Sequence, residues 1–188
     1  MKINGSAIRP GNVIEHKGRL WAVLKTQHTQ PGKGGAYLQA ELKALQDGTK
    51  LNERFRATET VEKAHLEESE KQFLFSEGND YTFMDNETFE QIVIPQEVIG
   101  KSSDFLQEGM LVTIKYYHET PVMVALPESV IMTITEADAV VKGQTASSSY
   151  KPAVLENGRR VLVPPHIAAG TRIVVSTEDG SYVERAKD

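Results

Sequence analysis

Two stretches of this chain repeat one order of elements. Gln91-Ile92-Val93-Ile94-Pro95-Gln96-Glu97-Val98 aligns with Arg160-Val161-Leu162-Val163-Pro164-Pro165-His166-Ile167. Downstream, Gly109-Met110-Leu111-Val112-Thr113-Ile114 aligns with Gly170-Thr171-Arg172-Ile173-Val174-Val175. Each copy reads as strand, proline turn, short helix, glycine, strand, since proline is well tolerated where a helix starts. The first copy carries an eight-residue insertion, Lys101–Glu108, that the second lacks. Two such copies imply two small barrels of one type, and a five-stranded OB-fold fits their size.

The rest of the chain is also all-β. Arg54–Val61, Gln72–Ser76, Tyr81–Met84, Gln91–Ile94, Leu111–Tyr117, Val122–Leu126, Ile131–Thr135, Arg160–Val163 and Arg172–Ser176 are short and rich in β-branched or aromatic residues. Turn signals such as Gly78-Asn79-Asp80, Asp85-Asn86, Glu156-Asn157-Gly158 and Asp179-Gly180 separate many of them. Three consecutive units follow: residues 1–64, an acidic 65–127, and 128–188, with the loop Lys142–Tyr150 as the most flexible part of the third. Units this small bury little surface alone, so the contacts between them should matter to stability.

Charge is unevenly spread. Residues 1–64 hold eleven Lys/Arg against six Asp/Glu, net +5; residues 65–127 hold three against twelve, net −9; residues 128–188 hold seven against eight, net −1. A basic first third fits a surface that meets a polyanion, and an acidic middle fits one that phosphates repel. The absence of cysteine excludes disulfides, thiol catalysis and Cys-based zinc sites. No signal-like segment opens the chain and no apolar run approaches a membrane span. A soluble cytoplasmic monomer without membrane contact is the expectation.

The first unit holds the segment His28-Thr29-Gln30-Pro31-Gly32-Lys33-Gly34-Gly35, between the strand-like runs Leu20–Gln27 and Ala36–Leu42. Strand, Pro/Gly turn, strand is a β-hairpin signal. Glycines at its tip allow close approach to another surface, leaving Lys33 alone at the end of a projecting arm. A phosphate-binding P-loop is excluded, because position 27 is Gln and Lys33 precedes Gly34 rather than Ser or Thr. Lipoyl and biotinyl carrier domains also display a hairpin lysine, but their Asp-Lys-Ala or Met-Lys-Met tips differ from Gly32-Lys33-Gly34.

No catalytic constellation accompanies this arm. His16, His28, His65, His118 and His166 are isolated and form no metal-ligand spacing. Ser147-Ser148-Ser149 does not lie in a nucleophile elbow, and no dinucleotide fingerprint is present. An all-β chain of this kind fits a binding protein that uses neither cofactor nor metal, not an enzyme.

The run Lys151-Pro152-Ala153-Val154-Leu155-Glu156-Asn157-Gly158-Arg159-Arg160-Val161-Leu162-Val163-Pro164-Pro165-His166-Ile167-Ala168-Ala169-Gly170 resembles the signature of the bacterial elongation factor P family. Lys151, Ala153, Gly158, Val161, Val163, Pro164, Ile167 and Gly170 occupy its fixed positions. The resemblance extends to Ile8-Arg9-Pro10-Gly11-Asn12-Val13-Ile14 near the start, to the Pro31-Gly32-Lys33-Gly34 tip, and to Tyr182-Val183-Glu184-Arg185 at the end.

That resemblance implies an SH3/KOW-like N-terminal barrel followed by two OB-fold barrels in an elongated, tRNA-like shape. It implies a translation elongation factor that binds the ribosome between the peptidyl and exit tRNA sites and relieves stalling at consecutive prolines. Lys33 becomes the modified tip residue, with Pro31, Gly32, Gly34 and Gly35 shaping its loop. The implied partners are peptidyl-tRNA, ribosomal RNA and an enzyme that lysylates or otherwise modifies Lys33. Arg9, Lys25, Arg54 and Arg56 become candidates for tRNA phosphates, and Tyr182 and Arg185 for RNA on the small-subunit side, with Glu184 on the opposite face of their strand. The loop Gly143–Ser149 becomes a candidate for the exit site, although Gly143-Gln144-Thr145 stands where many members have Gly-Asp-Thr, which leaves contacts by Gln144 and Thr145 open. The hypusine-bearing archaeal and eukaryotic counterpart resembles only the first two units. Remaining alternatives are a divergent paralogue, a swinging-arm carrier acylated on Lys33, and a general OB-fold single-strand binder.

Overall fold

The computed structural model describes residues 1–139 and 149–188. Three antiparallel sheets follow one another along the chain. The first uses β1 (Lys2–Asn4), β2 (Val13–His16), β3 (Arg19–Thr29), β4 (Tyr37–Ala44), β5 (Lys50–Arg56) and β6 (Thr60–Lys63), in the order β1-β6-β2-β3-β4-β5. Alternation builds its core: Leu38, Ala40, Leu42 and Ala44 face inward from β4 and meet Ile8, Ile14, Trp21, Val23 and Phe55. Ala57–Glu59 breaks the single strand expected over Arg54–Val61. That break carries no Gly, Pro or Asn and is set by contacts distant in sequence, where the Gly5 and Ser6 amides donate to the Glu59 and Ala57 carbonyls at 2.7 and 3.3 Å.

The second sheet uses β7 (Glu67–Glu77), β8 (Asp80–Met84), β9 (Gln91–Pro95), β10 (Leu111–Tyr117) and β11 (Thr120–Ala125), in the order β11-β10-β7-β8-β9. The third uses β12 (Ser129–Ala137), β13 (Lys151–Leu155), β14 (Arg160–Val163), β15 (Arg172–Ser176) and β16 (Tyr182–Arg185), in the order β14-β13-β12-β15-β16. The repeated motif therefore falls on β9 and β10 in one sheet and on β14 and β15 in the other. A short helix, α1 (Gln96–Ile99), follows Pro95, but the second copy makes only a turn there, closed by the Ile167 amide on the Pro164 carbonyl at 3.1 Å.

The insertion Lys101–Glu108 is where the second and third barrels meet. Its 3-10 turn, Gly100–Phe105, seats Phe105 in the third barrel's core among Val130, Met132, Ile134, Leu155 and Ile173, fully buried. Arg159 lies with Cζ 4.5 Å over the Phe105 ring. Asn157 Nδ2 donates to the Asp104 carbonyl at 2.9 Å, and Gln107 Nε2 to the Ile131 carbonyl at 3.1 Å. Among the described residues no helix is long and apolar enough to cross a membrane.

Candidate functional site

Lys33 stands at the tip of the β3–β4 hairpin, whose paired strands run from Trp21↔Ala44 out to Thr29↔Tyr37. It is exposed and makes no hydrogen bond or ion pair with any described residue. Of the tip glycines, Gly34 alone has a positive φ, +107°. A Cβ added at Gly32 or Gly35 would meet nothing within 4 Å, so the loop is open on its outer side.

Strand register assembles a surface that leads to this tip. A β-bulge at Leu24 shifts β3 by one residue, placing Lys25 opposite Glu41. Three cross-strand rows then share the outer face: Lys25–Glu41–Asn52, Gln27–Gln39–Arg54 and Thr29–Tyr37–Arg56. Directly paired residues of an antiparallel sheet point to the same side, and rows two residues apart are about 7 Å from each other. Lys25, Arg54 and Arg56 are therefore coplanar and exposed, with the last row at the root of the Lys33 loop.

The three cations nearest the tip on this face are in no ion pair with a described residue, in contrast to others of the same barrel, among them Lys50 at the far end of the same face. Lys17 pairs with Glu53 at 3.0 Å, Arg19 with Asp47 at 2.8 Å and Lys50 with Glu41 at 3.8 Å. Among the described residues, Lys25, Arg54 and Arg56 have no such partner. Arg54 instead lies with Cζ 4.1 Å over the Tyr37 ring. An array of unpaired cations is favourable only where salt or a polyanion screens it, and phosphate oxygens accept from both guanidinium and ammonium donors.

Arg9 belongs to the other side of the hairpin. Its guanidinium donates to the Ser6 and Ile8 carbonyls at 2.7 and 3.0 Å and lies 3.5 Å from His28 Nε2. His28 pairs with the core residue Leu38, which fixes it on the face opposite Lys25. The structure thus brings Lys25, Arg54 and Arg56 together and leaves Arg9 apart. Tyr37 and Gln39 join the basic face by the alternation of β4, and Gln27 by the bulge at Leu24; the sequence singled out none of the three.

In the third barrel, Tyr182 is paired with the inward-facing Val175, and Arg185 with the inward-facing Ile173. Residues three apart on a regular strand face opposite ways; the irregularity at Val183 puts these two on one side and sets Glu184 opposite them with Val174. Tyr182 packs partly on the core and meets the Tyr150 ring edge-on at 6.2 Å, while Arg185 is exposed. Gln144 and Thr145 lie outside the described residues. No group of His, Cys, Asp or Glu among the described residues is arranged to hold a metal ion.

Three family models match in succession: the elongation factor P KOW-like domain over residues 4–61, its OB domain over 66–124, and its C-terminal domain over 130–185. Curated relatives named elongation factor P are similar along their whole length. That of Rhizorhabdus wittichii is 60% identical over 99% of this chain and all of its own. That of Rhodospirillum centenum is 57% identical over the full length of both. Among solved structures, a translation initiation factor 5A from Methanococcus jannaschii aligns with TM-score 0.57 and 19% identity, over 68% of this chain and 94% of its own. A factor of the same kind from Naegleria fowleri gives TM-score 0.51 and 13% identity, over 67% and 98%. At that identity the two structures show shared fold alone, and it spans about two barrels' worth of the chain. Matched in all three of its domains and along the full length of its relatives, the chain belongs to the elongation factor P family.

Proposed function

We propose that this chain is a translation elongation factor that binds the ribosome between the peptidyl and exit tRNA sites and speeds peptide-bond formation at consecutive prolines. The observation that carries the reading is the exposed, unpartnered Lys33 at the end of a hairpin whose outer face presents Lys25, Arg54 and Arg56, none of them in an ion pair with a described residue. In this reading that face holds the peptidyl-tRNA backbone and the tip enters the cavity beside its acylated end.

Proline reacts slowly because its ring fixes φ and constrains the attacking nitrogen. A protein arm that steadies the tRNA end accelerates attack by orientation, with no group of its own in the bond-making step. A covalent lysyl-type extension of Lys33, added by a dedicated enzyme, would lengthen the arm and add donors for sugar and phosphate oxygens. Tyr182 and Arg185 serve a second RNA contact at the far end of the molecule, and the acidic middle barrel faces away from phosphate.

The test is reconstituted translation of a message with three consecutive prolines, using protein purified from its own cells. Wild type should relieve the stall, Lys33→Ala should lose most of that relief, and a proline-free message should not respond to either. Relief by Lys33→Ala equal to wild type would remove the tip amine from the mechanism.

A further inference from the structure

We infer that Tyr37 and Arg54 form a stacking subsite for one unpaired RNA base, beside the hairpin tip. This rests on the functional reading above and deepens it, because it assigns base stacking rather than phosphate pairing to Arg54.

The geometry is that of a half-built sandwich. Gln39 pairs with Arg54 and Tyr37 with Arg56, so Arg54 is one row further from the tip than Tyr37 and reaches across the sheet face to cover its ring. The Cζ–centroid distance of 4.1 Å is that of a guanidinium lying on an aromatic face. Tyr37 is half-buried and held between two strands, whereas Arg54 is exposed. The guanidinium thus lies over a fixed ring while its residue remains exposed to solvent. Arg54 has no carboxylate or carbonyl partner among the described residues, so its in-plane donors are also free.

A planar, weakly hydrated guanidinium stacks on nucleobases, which a lysine ammonium does not do. Bases within a duplex already have both faces covered, so this platform selects an unpaired nucleotide. The neighbouring Gln27 and Gln39, in the same row as Arg54, supply donors and acceptors for a base edge or a ribose hydroxyl. Lys25 and Arg56, one row away on either side, are placed for the phosphates that flank the stacked base. Tyr37 acts here as a positioning residue, since it fixes the guanidinium plane.

The experiment uses the full-length protein and a short single-stranded RNA carrying 2-aminopurine, whose fluorescence falls when it stacks. At low salt, wild type should quench the probe and bind it in preference to the same sequence in a duplex. Arg54→Lys keeps the charge, and should lose the quenching and weaken binding at least about 5-fold. The slope of affinity against salt should stay unchanged in that variant, because the phosphate contacts remain. Tyr37→Phe should behave as wild type, and Tyr37→Leu, with melting temperature checked, as Arg54→Lys. Quenching by Arg54→Lys equal to wild type would overturn the subsite, as would binding of the single strand by wild type without quenching. The strand assay contains no ribosome, so failure of wild type on the triple-proline message, with quenching intact, would reject the functional reading and leave the subsite standing.

Discussion

Gly34 is the tip residue that the backbone reserves for glycine. Its φ of +107° lies where a side chain is strained whatever space surrounds it, and the space here is open, with Pro31 Cγ 3.9 Å from an added Cβ. Alanine there should cost about 1–3 kcal/mol or force the loop into another shape. Gly32 and Gly35 have neither a positive φ nor a neighbour, so alanine at either should leave the free protein unchanged. We expect amide shifts over residues 31–36 to move widely in Gly34→Ala and only locally in Gly32→Ala, with relief of the triple-proline stall reduced in the first. Loss of relief in Gly32→Ala without a change in shifts would mean that glycine is demanded there by the ribosome, not by the chain. The sequence marked the loop and its lysine, because Pro and Gly between two strand-like runs have one reading. Which glycine carries the strain was not legible, since the letters are the same and φ is set by how the strands close. Lys25, Arg54 and Arg56 were likewise visible as basic residues, but Lys25 joins the face of Arg54 and Arg56 only through the Leu24 bulge, and Arg9's exclusion comes from its carbonyl partners.

Individual elements were most legible where burial on one face enforces alternation. β4 reads buried at every second residue from Leu38 to Ala44, as its letters imply. Elements whose ends are fixed by distant parts of the chain were not. The β10–β11 hairpin turns at His118 and Glu119, with φ of +48° and +66°, where no Gly or Asn announces it. The Lys101–Glu108 insertion was visible as a length difference, yet its role needs a partner barrel that only tertiary structure supplies. Phe105 leaves its own barrel and fills the neighbour's core. Phe105→Ala should therefore destabilise the third barrel by about 3–5 kcal/mol, the usual cost of deleting a buried aromatic ring. Hydrogen exchange of the full chain checks this: protection should fall in β12, β13 and β15 and stay unchanged in β3 and β4. Loss confined to β7–β10 would show that Phe105 supports its own barrel instead.

On the scale of the whole molecule, the two joints are built differently. Met110 and Leu126 pack against both the second and the third cores, whereas the first core shares no residue with either. The second and third barrels are thus expected to move as one body, with the first turning about residues 64–66. A polar contact joins the first and second barrels among the described residues: the Tyr117 hydroxyl, at the end of β10, donates to Glu15 of β2. That hydrogen bond, aided by burial and by the charges of Glu15 and Glu62, holds the Tyr117 phenol above its ordinary value of 10.0. A raised phenol pKa means the neutral form is favoured in the folded state. The contribution is fully present below pH 10, and is lost as pH rises through the folded value above it. At neutral pH the phenol is neutral and this hydrogen bond is available to hold the angle of the first barrel, with its Lys33 arm, against the second. Tyr117→Phe should release it without unfolding any barrel, because the phenyl ring is retained. The chain has no cysteine, so spin labels at Asn52→Cys and Glu178→Cys report one distance between the first and third barrels. We expect a broader distance distribution in Tyr117→Phe than in wild type, unchanged melting, and weaker relief of the proline stall, since an arm that samples more angles loses part of its orienting effect. An unchanged distribution would place the restraint elsewhere in the joint and remove Tyr117 from the positioning of the tip.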